Sequence, residues 1–123
     1  MIKSILLIAF GGAIGSVLRY LATVAITKYW NSHFPLATLL VNISGCFLIG
    51  ILTGYCIKNN LQNANLSWFL ITGFCGGFTT FSAFGLENVT LFQNNNLHIA
   101  FAYIAFSLFL GLFSVWLGLE ISK

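Results

Sequence analysis

Apolar residues run along this chain in four long blocks separated by short polar joints. The blocks extend from about Ile5 to Thr27, Leu36 to Ile57, Trp68 to Phe92 and Ile99 to Ile121, and the joints are Lys28 to Pro35, Lys58 to Ser67 and Gln93 to His98. A helix rises about 1.5 Å per residue, so each block can cross a hydrocarbon core of about 30 Å. The pattern predicts one all-α membrane domain, residues 1–123, with four transmembrane helices and both termini on one side. Lys3 precedes the first block, but that block is too long for a signal-peptide core, lacks a cleavage site and carries Arg19, so it is read as a mature helix.

The third block is built unlike the others. Gly73 to Phe84 reads GFCGGFTTFSAF, with three glycines and the paired hydroxyls of Thr79 and Thr80 near the middle of a span. Glycine weakens a helix by roughly 1 kcal/mol relative to alanine, and hydroxyls in hydrocarbon need partners. The stretch predicts a helix broken near its middle, which survives at membrane depth only where protein or a polar pathway lines it.

Composition sharpens this reading. Hydrophobic residues make up 59% of the chain and charged residues 6%, against about 25% charge in a water-soluble domain. No soluble domain fits in the joints, and no nucleic-acid partner is expected. The asparagines of the joints, Asn59, Asn60, Asn63, Asn65 and Asn94 to Asn96, read as compositional. Cys46, Cys56 and Cys75 lie within apolar blocks without CxxC or CxxH spacing, so they read as small apolar residues. His33 and His98 sit at helix ends without a paired carboxylate and read as interfacial residues; nothing suggests an enzyme.

Small residues form stripes at helical spacing: Gly12, Gly15, Ser16 and Arg19 in the first span, Asn42, Cys46, Gly50 and Gly54 in the second, and Tyr103, Ser107, Gly111, Ser114 and Gly118 in the fourth. Close helix packing accounts for the glycines. It does not account for the polar or charged residue that each stripe carries. A guanidinium inside a span costs at least about 2.5 to 3.5 kcal/mol and keeps its proton, so Arg19 either snorkels toward Lys28 or borders a polar vestibule that attracts anions. The Asn42 amide either bonds a neighbouring helix or faces a pathway. Glu87, the one acid well inside a span, is compatible with three roles: proton carrier, Arg19 partner, or cap for nearby backbone. Phe78, Phe81 and Phe84 recur every three residues after the break; such a stripe packs a core, or it presents positive ring edges to an anion.

These residues also form a familiar set. GGAIGSVLRY (Gly11 to Tyr20), PLATLLVNISGCFLIG (Pro35 to Gly50) and GFCGGFTTFSAFGLE (Gly73 to Glu87) resemble, in order and spacing, the fluoride channels called Fluc or CrcB. The resemblance implies passive fluoride export across the inner (plasma) membrane by a dual-topology, antiparallel homodimer with two pores and a central sodium ion. It implies a fluoride pathway made by the Asn42 amide, the ring edges of Phe81 and Phe84, the Thr80 hydroxyl, the polar track of Tyr103 and Ser107, and Arg19 at the vestibule. It places the sodium on backbone carbonyls of Gly76 and Thr79. Two departures stand out: Gly111 where a second hydroxyl is expected, and Leu36 and Ala37 where Gly-Thr more often leads in to Thr38.

Charge and size agree with such an assembly. Lys3, Lys58 and Lys123 fall on one side and Lys28 on the other, a slight positive-inside bias that permits insertion both ways. Four short spans cannot enclose a selective path alone, so an oligomer is expected. A small drug and proton antiporter is also short and four-spanning, but it needs an acid in the first helix, where this chain has Arg19. A structural subunit of a larger complex would need only the stripes, leaving Arg19, Asn42 and the broken helix without a role.

Overall fold

The computed structural model describes Met1–Lys123 and contains helices only. Its elements are α1 (Ile2–Tyr29), α2 (Leu36–Lys58), the short α3 (Asn65–Ser67), a π-helical segment (Trp68–Cys75), the short α4 (Gly76–Phe78), α5 (Phe81–Gln93) and α6 (Leu97–Ser122). Four stretches are long and apolar enough to span a membrane: α1, α2, the composite third span Asn65–Gln93, and α6. α1, the third span and α6 extend one to three residues beyond each end of their apolar blocks, and α2 by Lys58 alone.

Two of the joints are closed by asparagines. After α2, Asn60 adopts φ 57°, and after α5, Asn95 adopts φ 60°. In both places two amides fold back onto the last turn: Leu61 N–H on Cys56 O and Asn60 N–H on Ile57 O, then Asn96 N–H on Leu91 O and Asn95 N–H on Phe92 O. This left-handed cap is normally a glycine position, and asparagine is the side chain that tolerates it best. Asn60 and Asn95, read from sequence as compositional, therefore have a structural task.

The helices pair in two groups. α1 lies against the first half of the third span, where a side chain on Gly11 would collide with the Phe69 carbonyl and one on Gly77 would come within 2.5 Å of the Gly12 carbonyl. α2 lies against α6, where a side chain on Gly118 would come within 2.5 Å of the Phe47 carbonyl. Close backbone approach of this kind is how helices gain packing in lipid, where apolar surface alone drives no association. On α1 the expected Gly12 and Gly15 meet the third span and Gly11 joins them, while Ser16 is exposed and reaches Gly77 O at 3.5 Å. Leu39, Leu91, Ala100 and Tyr103 form a small core where α2, α5 and α6 meet. Only 20 of 123 residues are buried, so one chain presents most of its surface to lipid or to another subunit.

Candidate ion pathway at the helix break

The third span breaks at Thr79 and Thr80, whose backbones are extended (φ −81°, ψ 158° and φ −148°, ψ 122°). The local sequence supplies partners for both new ends. Thr79 Oγ1 donates to Cys75 O at 2.9 Å, closing the end of α4. Thr80 is the N-cap of α5, its hydroxyl accepting from Ala83 N–H at 3.2 Å and paired with Ser82 Oγ at 3.2 Å. Before the break, the eight residues Trp68–Cys75 wind as a π-helix, for which the sequence offers no local signal.

Asn42, one helix away on α2, holds the break open. Its Nδ2 donates to Thr80 O at 3.0 Å, and Thr80 N–H donates to its Oδ1 at 2.8 Å. The amide thus replaces the helical acceptor that the Thr80 N–H has lost and adds a donor to the carbonyl that opens α5. One Nδ2 hydrogen remains for another acceptor, since a carboxamide nitrogen carries two.

The break leaves carbonyls without helical donors, those of Gly76 and Thr79 among them. In a continuous helix Thr80 N–H would bond Gly76 O and Ala83 N–H would bond Thr79 O. Here the first donates to Asn42 and the second to the Thr80 hydroxyl. Nothing lies within 4 Å of the direction a Gly76 side chain would take, so this part of the break borders open surface.

A groove of about 600 Å³ runs beside the break. It is lined by Asn42, Thr80, Phe81, Phe84 and Ser107 together with Gly76 and Thr79, so it brings seven of the nine expected site residues to one place. Gly111 also lines it, and a side chain there would meet Cys46 Sγ at 3.7 Å. The rings of Phe81 and Phe84 are 5.6 Å apart, and Phe81 is 82% exposed on the single chain. Ser107 Oγ is enclosed and has no hydrogen-bond partner in the protein. A buried hydroxyl without a partner is costly, and this one sits in the wall of the groove.

Two expected residues stand elsewhere. Arg19 lines neither this groove nor the smaller cleft described below, and it makes no ion pair; the chain's ion pair is Lys123 to Glu120 at 2.7 Å. Tyr103 is fully buried beside the groove, its ring 5.1 Å from that of Phe84, and its hydroxyl donates to Glu87 Oε1 at 2.9 Å. Thr38 Oγ1 donates to the other Glu87 oxygen at 2.8 Å. Glu87 is therefore not the partner of Arg19: its carboxylate ties α5 to α2 and α6. This trio went unrecognised in the sequence, although an acid inside a span must find donors, and Thr38 lies one turn before Asn42.

Comparison with known proteins gives this groove its context. Residues 6–119 match the family model for the CrcB-like protein, Camphor Resistance (CrcB). The chain is 55% identical to the fluoride-specific ion channel FluC of Flavobacterium psychrophilum over 98% of both chains. It is 49% identical to the FluC of Azobacteroides pseudotrichonymphae over 96% of this chain and 94% of that one, and 44% identical to the FluC of Methylobacillus flagellatus over 97% and 94%. A near-complete family match and relatives of such identity over nearly the whole length leave one conclusion, that this chain belongs to the CrcB-like family.

Proposed function

We propose that this protein is a fluoride-selective channel that lets fluoride leave the cell passively across the plasma membrane, limiting fluoride toxicity. The observation that carries the reading is the groove in which a clamped helix break, two phenylalanine rings and an unpartnered hydroxyl converge. Fluoride is small and a strong hydrogen-bond acceptor. The spare Asn42 hydrogen and the Ser107 hydroxyl are neutral donors, and the edges of Phe81 and Phe84 carry partial positive charge, so the groove can replace hydration without a fixed cation that would trap the ion. The relatives are ion channels, and neither an enzymatic role, a drug and proton antiporter nor a purely structural subunit is favoured. With the cell interior negative, expulsion of an anion gains about 2.3 kcal/mol per charge for each 100 mV, so no coupled energy source is required.

The assembly that fits this chemistry is an antiparallel homodimer. Phe81, largely exposed on one chain, would then face the pathway completed by a second. Sodium is the cation we assign to the dimer axis. Gly76 and Thr79 offer neutral carbonyl oxygens whose helical donors are engaged elsewhere, a hard donor set suited to a hard monovalent cation. When bound, sodium would offset the repulsion between converging carbonyls of two subunits.

The deciding experiment is fluoride efflux from liposomes containing the purified chain, followed with a fluoride electrode. Rapid efflux is expected, and chloride release at a comparable rate would sink selectivity. Single cysteines near Lys58 should label from both sides of the membrane; one-sided labelling refutes the antiparallel arrangement. Exchange of sodium for a large organic cation should lower flux or dimer stability, and unchanged flux after exhaustive removal rejects the assigned site.

A further inference from the structure

Two cysteines from different helices meet in the wall of the groove. Cys46 of α2 and Cys75 of the π-helical segment both line it. Cys56 is buried and lines neither the groove nor the smaller cleft, a space of about 350 Å³ bordered by His33, Glu87 and Asn94.

The register of α2 against the third span brings the two thiols level. Asn42 is bonded to the Thr80 peptide at 3.0 and 2.8 Å, and a side chain on Gly45 would collide with that of Thr79, so residue numbers rise along α2 as they fall along the third span. Cys46 stands one turn beyond Asn42. Cys75 stands one turn before Thr79, whose N–H and hydroxyl donate to the Cys75 carbonyl at 3.1 and 2.9 Å. One turn taken from a shared contact along each of two antiparallel helices reaches the same depth, so the cysteines face each other across the helix pair. On its other side the Cys46 sulfur lies 3.7 Å from where a Gly111 side chain would begin. Glycine at that position leaves the sulfur uncovered toward the groove.

The number and kind of ligands select the cation. No third histidine, cysteine or carboxylate joins the pair. Structural zinc takes four ligands, and calcium or magnesium takes oxygens. Two sulfurs alone suit a soft cation satisfied by two-coordination, such as Hg(II), Ag(I) or Cu(I). Apolar surroundings make a cysteine inert as a nucleophile, but a coordinated soft cation displaces its proton. With mercuric chloride, two S–H bonds release their protons to water, two S–Hg bonds form and two chlorides leave. Mercury stays Hg(II), and the bridge is neutral.

We propose that Cys46 and Cys75 form a two-thiolate site for a soft cation in the groove wall, and that its occupancy shuts off fluoride conduction. The bridge would tie α2 to the third span one turn from the Asn42 clamp and fill part of the groove. Its effect on conduction rests on the fluoride-channel reading; the site itself does not.

Mercuric chloride is the probe, added to the purified chain at one equivalent and to liposomes loaded with fluoride. Intact-mass measurement should find mercury bound with two protons lost and no chloride kept in wild type and Cys56→Ala, but with a chloride kept in Cys46→Ser and Cys75→Ala. Efflux, compared in each protein with its own metal-free rate, should stop with mercury and resume on adding β-mercaptoethanol. Wild type and Cys56→Ala should need at least about tenfold more of this thiol than either groove variant, because the second sulfur recaptures the metal before it escapes. Failure of one groove variant to assemble leaves the other to decide. Chloride kept in wild type, equal release from all four proteins, or a block lost in Cys56→Ala overturns the site. A bridge in wild type with undiminished efflux overturns its control of conduction. Absence of efflux from metal-free wild type overturns the channel reading instead, a result that the mass measurement keeps distinct.

Discussion

The two halves of the third span do different work although they lie in one apolar block. The first half, up to Phe78, is held against α1 by backbone approach at Gly11, Gly15, Gly73 and Gly77, with one long polar contact, Ser16 Oγ to Gly77 O at 3.5 Å. The second half, α5, is held by directed polar bonds: Asn42 to the Thr80 peptide, and Thr38 and Tyr103 to Glu87. Donors and an acid inside a span are expensive, and they gather on the second half, which shares the groove with Cys75 and Gly76 of the first. A membrane helix thus separates anchoring from chemistry by breaking, with its two threonines at the border.

Damage to the anchor should have the largest effect. Gly11→Val places a side chain against backbone of the third span, which cannot retreat as a flexible side chain would. Overpacking of this kind costs about 1–3 kcal/mol or more, and the protein should be lost as a monodisperse species in gel filtration, with flux lost alongside. A stable, conducting variant would show that the crossing is looser than described.

Asn42→Ala attacks the polar half at its clamp. The Thr80 N–H would lose its acceptor, at about 1–3 kcal/mol, and the Thr80 carbonyl one of its donors. A lower unfolding temperature and loss of fluoride efflux are expected, with assembly retained because the anchor is intact. If the unfolding temperature is unchanged, the clamp does not hold the break.

Phe84→Ile and Phe81→Ile separate chemistry from packing. An aliphatic side chain keeps most of the volume and loses the positive ring edge, so fluoride flux should fall about tenfold or more while elution on gel filtration matches wild type. Phe109, 76% exposed on α6 away from the groove, is the control and should tolerate the same change. Wild-type conduction in the two groove variants, or failure only through loss of the wild-type elution profile, would return these rings to core filling.

The smallest effect is expected at the border. Thr80→Ala removes the cap on Ala83 N–H and should cost about 1 kcal/mol, read as a modest fall in unfolding temperature that Thr80→Ser restores. Equal loss in both variants would place the role in the methyl group.

The four spans and the break were legible in the sequence because hydrophobic run length and glycine with threonine at mid-span act locally. Family resemblance named Asn42, Phe81, Phe84 and Ser107 together, and the fold brings them to one groove. The tertiary structure alone decided what each polar group bonds. That Asn42 clamps the Thr80 peptide depends on α2 lying beside the break, 38 residues away in the chain. That Glu87 takes hydroxyls from α2 and α6, and leaves Arg19 aside, depends on which faces three helices present to one another. Spacing along a helix determines which residues share a face; it carries no information on which partner that face will meet, and for a buried polar group the partner is what sets its role.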